Sequence, residues 1–215
     1  QMCIRDSITA HLREDRRHIQ DRDIRLLKDT INIPLNLEMA VTDEMVQIAL
    51  DLHPHAVTLV PERRQELTTE GGLDIARWSD QVQKAVERLK SAGILVSLFI
   101  EPDLAAVKAS HAVSADAVEF HTGRFCHQID KATTTRAKHA ILQPLINAAK
   151  SAADLGLQAH FGHGLHYGNA NWLQHVPFCE EANIGHAIIG RAIFVGLENA
   201  VREMKRLLND PACRP

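Results

Sequence analysis

Nothing in this chain of 215 residues answers to a metal cage, a disulfide scaffold or a membrane anchor. Its four cysteines, Cys3, Cys126, Cys179 and Cys213, stand far apart and form no CxxC pair. That excludes a zinc knuckle or a cystine framework and fits a reducing, cytoplasmic setting. No apolar run is long enough to span a bilayer, and no charged-then-apolar leader is visible. Neither sign of charge dominates: 24 Lys and Arg face 27 Asp and Glu, a net charge of −3. Neither nucleic acid nor a membrane surface is therefore the expected partner. The GxGxxG of dinucleotide-binding sheets is missing, and so are HExxH and any two-His-carboxylate spacing. A metal remains the rival use of clustered His and Glu only if ligands from different strands assemble one. No repeat or low-complexity linker divides the chain. It reads as one domain over 8–215 behind a patternless leader, 1–7.

What is present is an alternation of short β-rich runs with helical stretches. Strands are expected at 8–12, 35–40, 56–60, 95–100, 117–123, 157–161 and 182–184. Helices are expected at 21–30, from the Thr42 N-cap to about Leu52, at 74–92 ending on Gly93, after Pro102 at N1, at 133–155 and at 190–208. Pro144 should kink or break the helix that contains it. The polar run 62–74, with Gly71 and Gly72 adjacent, reads as a functional lid. Regular β-then-α order implies a parallel α/β sheet, either doubly wound or a (β/α)8 barrel. Seven strands are counted where a barrel closes with eight.

Two late turns organise the functional reading. Gly162-His163-Gly164-Leu165 and Asn183-Ile184-Gly185-His186-Ala187-Ile188-Ile189-Gly190-Arg191-Ala192 each put glycine and histidine between a strand and a helical pattern. Glycine lets the backbone approach a ligand, and helix-start amides favour an anion. In a barrel, strand C-terminal ends face one site. Those ends carry His11 and Arg13, Glu38, the 68–72 loop, Glu119 and His121, His163, and His186. Burying so many polar groups together is costly unless water or substrate fills the middle. Singly they are less telling: Glu38 suits a structural pair with a neighbouring Arg, and Arg13, Arg16 and Arg17 read first as a solvated turn, with a phosphate clamp the lesser reading. His53, His55, His111, His127, His139 and His175 receive no role.

A collinear set of motifs carries a family resemblance. It comprises His11 to Ile19 (HLREDRRHI), Asn36 to Ala40 (NLEMA), Val60-Pro61-Glu62, Arg64-Gln65-Glu66, Thr68 to Asp74 (TTEGGLD), Val96 to Ile100 (VSLFI), His121-Thr122-Gly123 and the two Gly/His turns. Together, from about Ile8 to about Leu208, they resemble the pyridoxine 5′-phosphate synthase family. The resemblance implies a (β/α)8 TIM barrel, assembled as an octamer, that uses no metal or organic cofactor. It implies a condensation of 1-deoxy-D-xylulose 5-phosphate with 3-amino-2-oxopropyl phosphate, closing the pyridine ring of vitamin B6 and releasing phosphate and water. By position it makes His11 and Glu38 proton acceptors, His163 a donor and Glu119 a carboxylate that stabilises the transition state. Arg13, His18 and Thr68 would hold the deoxyxylulose phosphate; Gly164, Gly185 and His186 would hold the aminoketone phosphate. Proton shuttles near neutral pH and two separate anion sites suit that chemistry.

The sequence departs from the family in places. The family begins with a further strand and helix supplying an Asn, an Asp-His pair and an Arg, whereas this chain opens at what resembles the family's second strand. A barrel without its first strand has two unpaired edges, so the chain as given is expected to fold poorly or to be inactive. Pro144 and the bulky His160-Phe161 before Gly162 are smaller departures. Two other readings compete: a different sugar-phosphate isomerase or aldolase barrel, and a catalytically dead phosphate-binding paralogue. The first lacks a Schiff-base lysine at any strand end noted above. The second keeps the Gly/His turns without proton transfer.

Overall fold

Strand polarity is the feature from which the architecture follows. In β1 (Ile8–His11), β2 (Leu35–Met39), β3 (Ala56–Leu59), β4 (Leu95–Ile100), β5 (Ala117–His121) and β6 (Gln158–Gly162), one set of alternate residues is apolar and buried. Leu37, Met39, Val57, Leu59, Val96, Leu98, Val118, Phe120 and Phe161 belong to it. The other set carries Thr9, His11, Asn36, Glu38, Thr58, Ser97, Glu119, His121 and His160. Period-2 geometry puts these sets on opposite faces. The computed structural model, which describes residues 7–62 and 71–215, places the apolar face outward beneath the helices and the polar face inward.

With β7 (Cys179–Asn183) the strands form one parallel sheet in the order β1-β2-β3-β4-β5-β6-β7. Each strand pairs with its sequence neighbour. A doubly wound sheet must reverse its order at a switch point; this one never does, so it is the barrel type. Among the described residues it has one strand fewer than the eight of a closed barrel. Its curl nonetheless brings the first and last strands together, because the Thr9 hydroxyl donates to Asn183 Oδ1 at 2.9 Å. Among the described residues β1 and β7 share no backbone ladder.

The helices are α1 (Asp21–Thr30), α2 (Asp43–Leu52), α3 (Ser79–Ser91), α4 (Leu104–Ala112), α5 (Gly123–Lys131), α6 (Thr135–Asp154), α7 (His186–Val195) and α8 (Leu197–Asn209). Four differ from the sequence expectation. Helix α3 starts five residues after Asp74, because the Asp74 carboxylate accepts from Arg77 N in a turn that buries Ile75. Pro102 is not at N1 of α4: Asp103 caps that helix, accepting from Ala105 N and Ala106 N at 2.9 and 2.8 Å. The expected helix over 133–155 is α6, and α5 precedes it unforeseen. Pro144 leaves α6 unbroken. It lies on the exposed side with Ala140, so the Ala140 carbonyl that loses its N–H partner faces water. The expected last helix is two, divided at Gly196, whose φ of 79° no helix accepts.

Candidate active site

Three carboxylates and several imidazoles converge at the C-terminal ends of the strands, in two groups. The first joins β1, β2 and the residues after β3. His11 lies between two acids: its Nδ1 is 3.6 Å from Glu38 Oε2 and its Nε2 2.9 Å from Glu62 Oε1. The other oxygen of Glu62 accepts the Glu14 N–H at 3.0 Å. Burial raises the Glu38 pKa above the usual carboxylate range, and His11 opposes the rise only in part. For Glu62 burial also pushes upward, but the His11 hydrogen bond, the Glu14 N–H and the Arg13 charge outweigh it, and the pKa ends below its ordinary value. Two carboxylates on one imidazole, displaced in opposite directions, are the arrangement that separates an acid from a base. The sequence places Glu62 in the expected lid and in a motif of the resemblance but gives it no part of its own in the chemistry; its place just past the end of β3 is the available signal.

The turn after β1 is held by ion pairs rather than simply solvated. Arg16, at φ 50°, reaches Asp21 at 3.1 Å and Glu44 at 2.7 Å and donates to the Glu14 carbonyl at 2.8 Å. Arg17 binds Asp15. Arg13 is only 5% exposed, with its Nε 3.4 Å from Asp15 Oδ1, and His18 is exposed on the same turn. Thr68 lies outside the described residues.

The second group spans β4 to β7. Glu119 is 2% exposed and accepts from Asn183 Nδ2 at 2.9 Å. Asn183 in turn accepts from Thr9, and Asn36 donates to Thr58 at 3.0 Å and Thr9 at 3.4 Å, so one polar chain crosses the interior. Burial drives the Glu119 pKa well up; the Glu38 and Glu181 charges add to it, and only the Asn183 hydrogen bond opposes. The Glu38 charge thus couples the two groups electrostatically. Gly162 makes room for this carboxyl: a Cβ there would lie 1.9 Å from Glu119 Oε1.

His163 follows Gly162 at φ 78° and packs its ring against His121 with centroids 4.7 Å apart. Its pKa is lowered, by burial first and then by the neighbouring imidazoles of His121 and His186. Gly164, at φ 79°, brings its backbone against Cys126 and Gly123. Gly185 caps α7 without a side-chain bond, and a Cβ there would meet nothing within 4 Å. His186 is the exposed first residue of that helix. The first amides of α7 are thus open towards an anion.

His160, which departed from the expected small residue, points inward below the site. It helps line a cavity of about 210 Å³ at the opposite, N-terminal end of the barrel, with Asn36, Thr58, Ser97 and Glu181. Among the described residues no three His, Cys, Asp or Glu side chains converge as metal ligands, and no helix is long and apolar enough to cross a membrane.

The fold recurs in solved structures of low sequence identity. 3-Hexulose-6-phosphate synthase from Salmonella typhimurium matches with a TM-score of 0.64 at 16% identity, covering 95% of this chain and 87% of that one. N-(5′-phosphoribosyl)anthranilate isomerase from Pyrococcus furiosus matches with a TM-score of 0.62 at 13% identity, covering 95% and 88%. Sequence relatives are much nearer. The pyridoxine 5′-phosphate synthase of Syntrophotalea carbinolica is 55% identical over 203 residues, 94% of this chain and 83% of the relative. That of Geobacter sulfurreducens is 54% identical with the same coverage. The model of the family described as pyridoxal phosphate biosynthesis protein PdxJ matches residues 3–210. The chain belongs to the PdxJ family of pyridoxal phosphate biosynthesis proteins.

Proposed function

We propose that the chain is a pyridoxine 5′-phosphate synthase. It joins 1-deoxy-D-xylulose 5-phosphate to 3-amino-2-oxopropyl phosphate, a transferase-type ring closure that releases phosphate and water. One observation carries the assignment of roles: His11 sits between Glu38 and Glu62 at the strand ends of a chain 55% identical to a pyridoxine 5′-phosphate synthase.

In this reading Glu38 and His11 take protons as the imine forms and enolises. The raised pKa of Glu38 brings it nearer the working pH, where a base can also return its proton. Glu62 stays ionised and holds His11 through Nε2, leaving the Nδ1 edge towards Glu38. His163 gives a proton to the departing oxygen. Its lowered pKa supports that role, because an imidazolium disfavoured by its surroundings is a stronger acid. Glu119 is the carboxyl that stabilises the transition state. Arg13, His18 and Thr68 hold the deoxyxylulose phosphate. Gly164, Gly185 and His186 hold the other at the uncapped start of α7. No metal or organic cofactor enters this scheme.

The protein works in the cytoplasm as a homo-oligomer, an octamer by analogy with the family. Ile189, Ile193 and Phe194 on α7, at 60, 80 and 82% exposed, give an apolar face that an assembly would cover. The test mixes both phosphorylated substrates with the protein and follows pyridoxine 5′-phosphate, beside Glu38→Gln. Product that falls at least about 100-fold in the variant is expected for loss of a general base. Full turnover without the Glu38 carboxylate overturns the reading.

A further inference from the structure

One buried imidazole has no part in the scheme above. His121 ends β5 two residues after Glu119, so it points into the barrel, and it is 7% exposed. Its Nδ1 lies 3.0 Å from Glu101 Oε1, and that oxygen also accepts the Gly72 N–H at 3.0 Å. A carboxylate can only accept, so in neutral His121 the proton sits on Nδ1 and Nε2 carries a lone pair. Nε2 has no hydrogen-bond partner among the described residues. The ring is wedged between Phe99, at 5.3 Å, and His163, at 4.7 Å.

The two imidazoles meet over Gly123. A Cβ at that position would lie 2.8 Å from His121 Nε2 and 3.2 Å from His163 Cδ2, so both rings occupy space that any other residue would fill. His163 itself holds a φ of 78°, which a non-glycine residue adopts only when its surroundings impose it. Thr122 contributes by donating its hydroxyl to the His163 carbonyl at 2.5 Å, which fixes the backbone but not the ring. The described aromatic contact on the His163 ring is His121.

We propose that Glu101 and His121 are positioning residues for His163: the carboxylate fixes the tautomer and orientation of His121, and the His121 ring fixes that of His163. This rests on the reading of His163 as the proton donor. It differs from simple core packing in one respect, because a packing role needs a ring of that shape but neither its nitrogens nor Glu101. The other ionisable groups around His163 are His186 at the start of α7, Cys126 on α5 and Glu119 beneath Gly162. Of these, His186 joins His121 in opposing protonation of His163.

The experiment compares Glu101→Gln, Glu101→Asp, His121→Phe and His163→Asn in the full chain. Readouts are kcat, the KM for each substrate, the thermal midpoint, and the His163 titration followed by NMR on protein labelled at histidine Cε1. Glu101 is 45% exposed at its side chain, so its variants fold even if His121→Phe does not. Expected are a kcat about tenfold lower in Glu101→Gln and His121→Phe, as for loss of a group that orients a functional imidazole, with both KM values and the midpoint unchanged. Glu101→Asp should recover part of kcat. The His163 titration should move to higher pH in His121→Phe, since one of two opposing imidazoles is gone. Unchanged kcat and unchanged His163 titration in Glu101→Gln and His121→Phe overturn the proposal, as does a kcat loss that only tracks the thermal midpoint. Full activity in His163→Asn instead removes the donor assignment, and the titration then decides alone whether His121 governs the ring.

Discussion

Replacing Gly162 by alanine adds one methyl group directly against the buried Glu119 carboxyl. The new Cβ would lie 1.9 Å from Glu119 Oε1, 3.0 Å from its carboxyl carbon and 3.4 Å from Asn183 Cβ. Ordinary contact requires the oxygen to retreat by about 1.5 Å. It cannot do so freely, because the other oxygen is tied to Asn183 and the residue is 2% exposed. Overpacking of this kind costs about 1–3 kcal/mol. Loss of the Asn183 bond, with the Glu119 carboxyl left buried, costs about 1–3 kcal/mol more. Against this, alanine narrows the unfolded ensemble and returns about 0.4–1 kcal/mol, since Gly162 is in strand geometry that alanine accepts. The net loss is about 1–6 kcal/mol, a fall in thermal midpoint of roughly 2–20 °C for a chain of this size. Gly190→Ala is the control: that glycine sits in α7 with nothing within 4 Å of the added carbon. Alanine there should stabilise by roughly 0.5–1 kcal/mol. Calorimetry of both variants, and of Gly162→Ala combined with Glu119→Ala, tests the cause. If the Gly162→Ala penalty persists undiminished once the Glu119 carboxyl is gone, the crowding argument is refuted.

Three further outcomes are expected. Glu119 has its pKa raised in the folded state, so its contribution to stability is full at low pH and is lost as pH rises from the unfolded value of 4.5 through the folded one. Glu119→Gln stays neutral, so its advantage over the unaltered chain in urea midpoint should grow from pH 5 to pH 8; a constant gap refutes this. Burial pushes the thiols of Cys126 and Cys179 up to about 12, so at pH 8 only about one in 10,000 is thiolate. Peptide mass spectrometry should find both unmodified by iodoacetamide in the native chain and modified after unfolding. Thr9→Val removes the hydroxyl that reaches Asn183 and should cost about 1–3 kcal/mol, because the Asn183 acceptor stays behind; a urea midpoint equal to that of the unaltered chain would show that the two sheet edges do not depend on this bond.

Most of the fold was legible because the strands alternate cleanly. A parallel sheet buried on its outer face shows period 2 only when the inner face is polar, and Leu35 to Met39 and Ala117 to His121 both do. Boundaries failed where glycine serves more than one purpose. Gly123 was read as the end of a strand, yet it opens α5, since its missing Cβ makes room for two histidine rings. Gly190 was read as a helix start, whereas it lies inside α7 and Gly196 makes the break. His11, Glu38, Glu119 and His163 were identified as candidates from their strand-end positions and the family resemblance, and they do converge around one interior. Glu62 has no part of its own in the sequence reading of the chemistry, because its partners, His11 at the end of β1 and the Glu14 N–H in the turn that follows, lie 48 residues or more away. Arg16 was grouped with a solvated turn for the same reason: its partner Glu44 is on α2, 28 residues on.

The barrel divides its labour between its two faces. Residues of the outer face are nearly all aliphatic or aromatic and fully buried under helices, as in the Phe120–Phe161 pair with centroids 5.4 Å apart. Burying each such side chain is worth about 1.5–3 kcal/mol. The inner face is joined by hydrogen bonds whose net worth is about 1 kcal/mol each, and it carries carboxyls whose raised pKa values record a cost of burial rather than a gain. Stability therefore comes from outside and chemistry from inside. Asn183 stands where the two meet: it links the last strand to the first through Thr9 and presents its amide to Glu119. One side chain thus takes part both in the contact between the sheet's two edges and in the hydrogen bonding of its deepest carboxyl. An interior built this way tolerates its polar groups only because the aliphatic layer behind them keeps the strands in register.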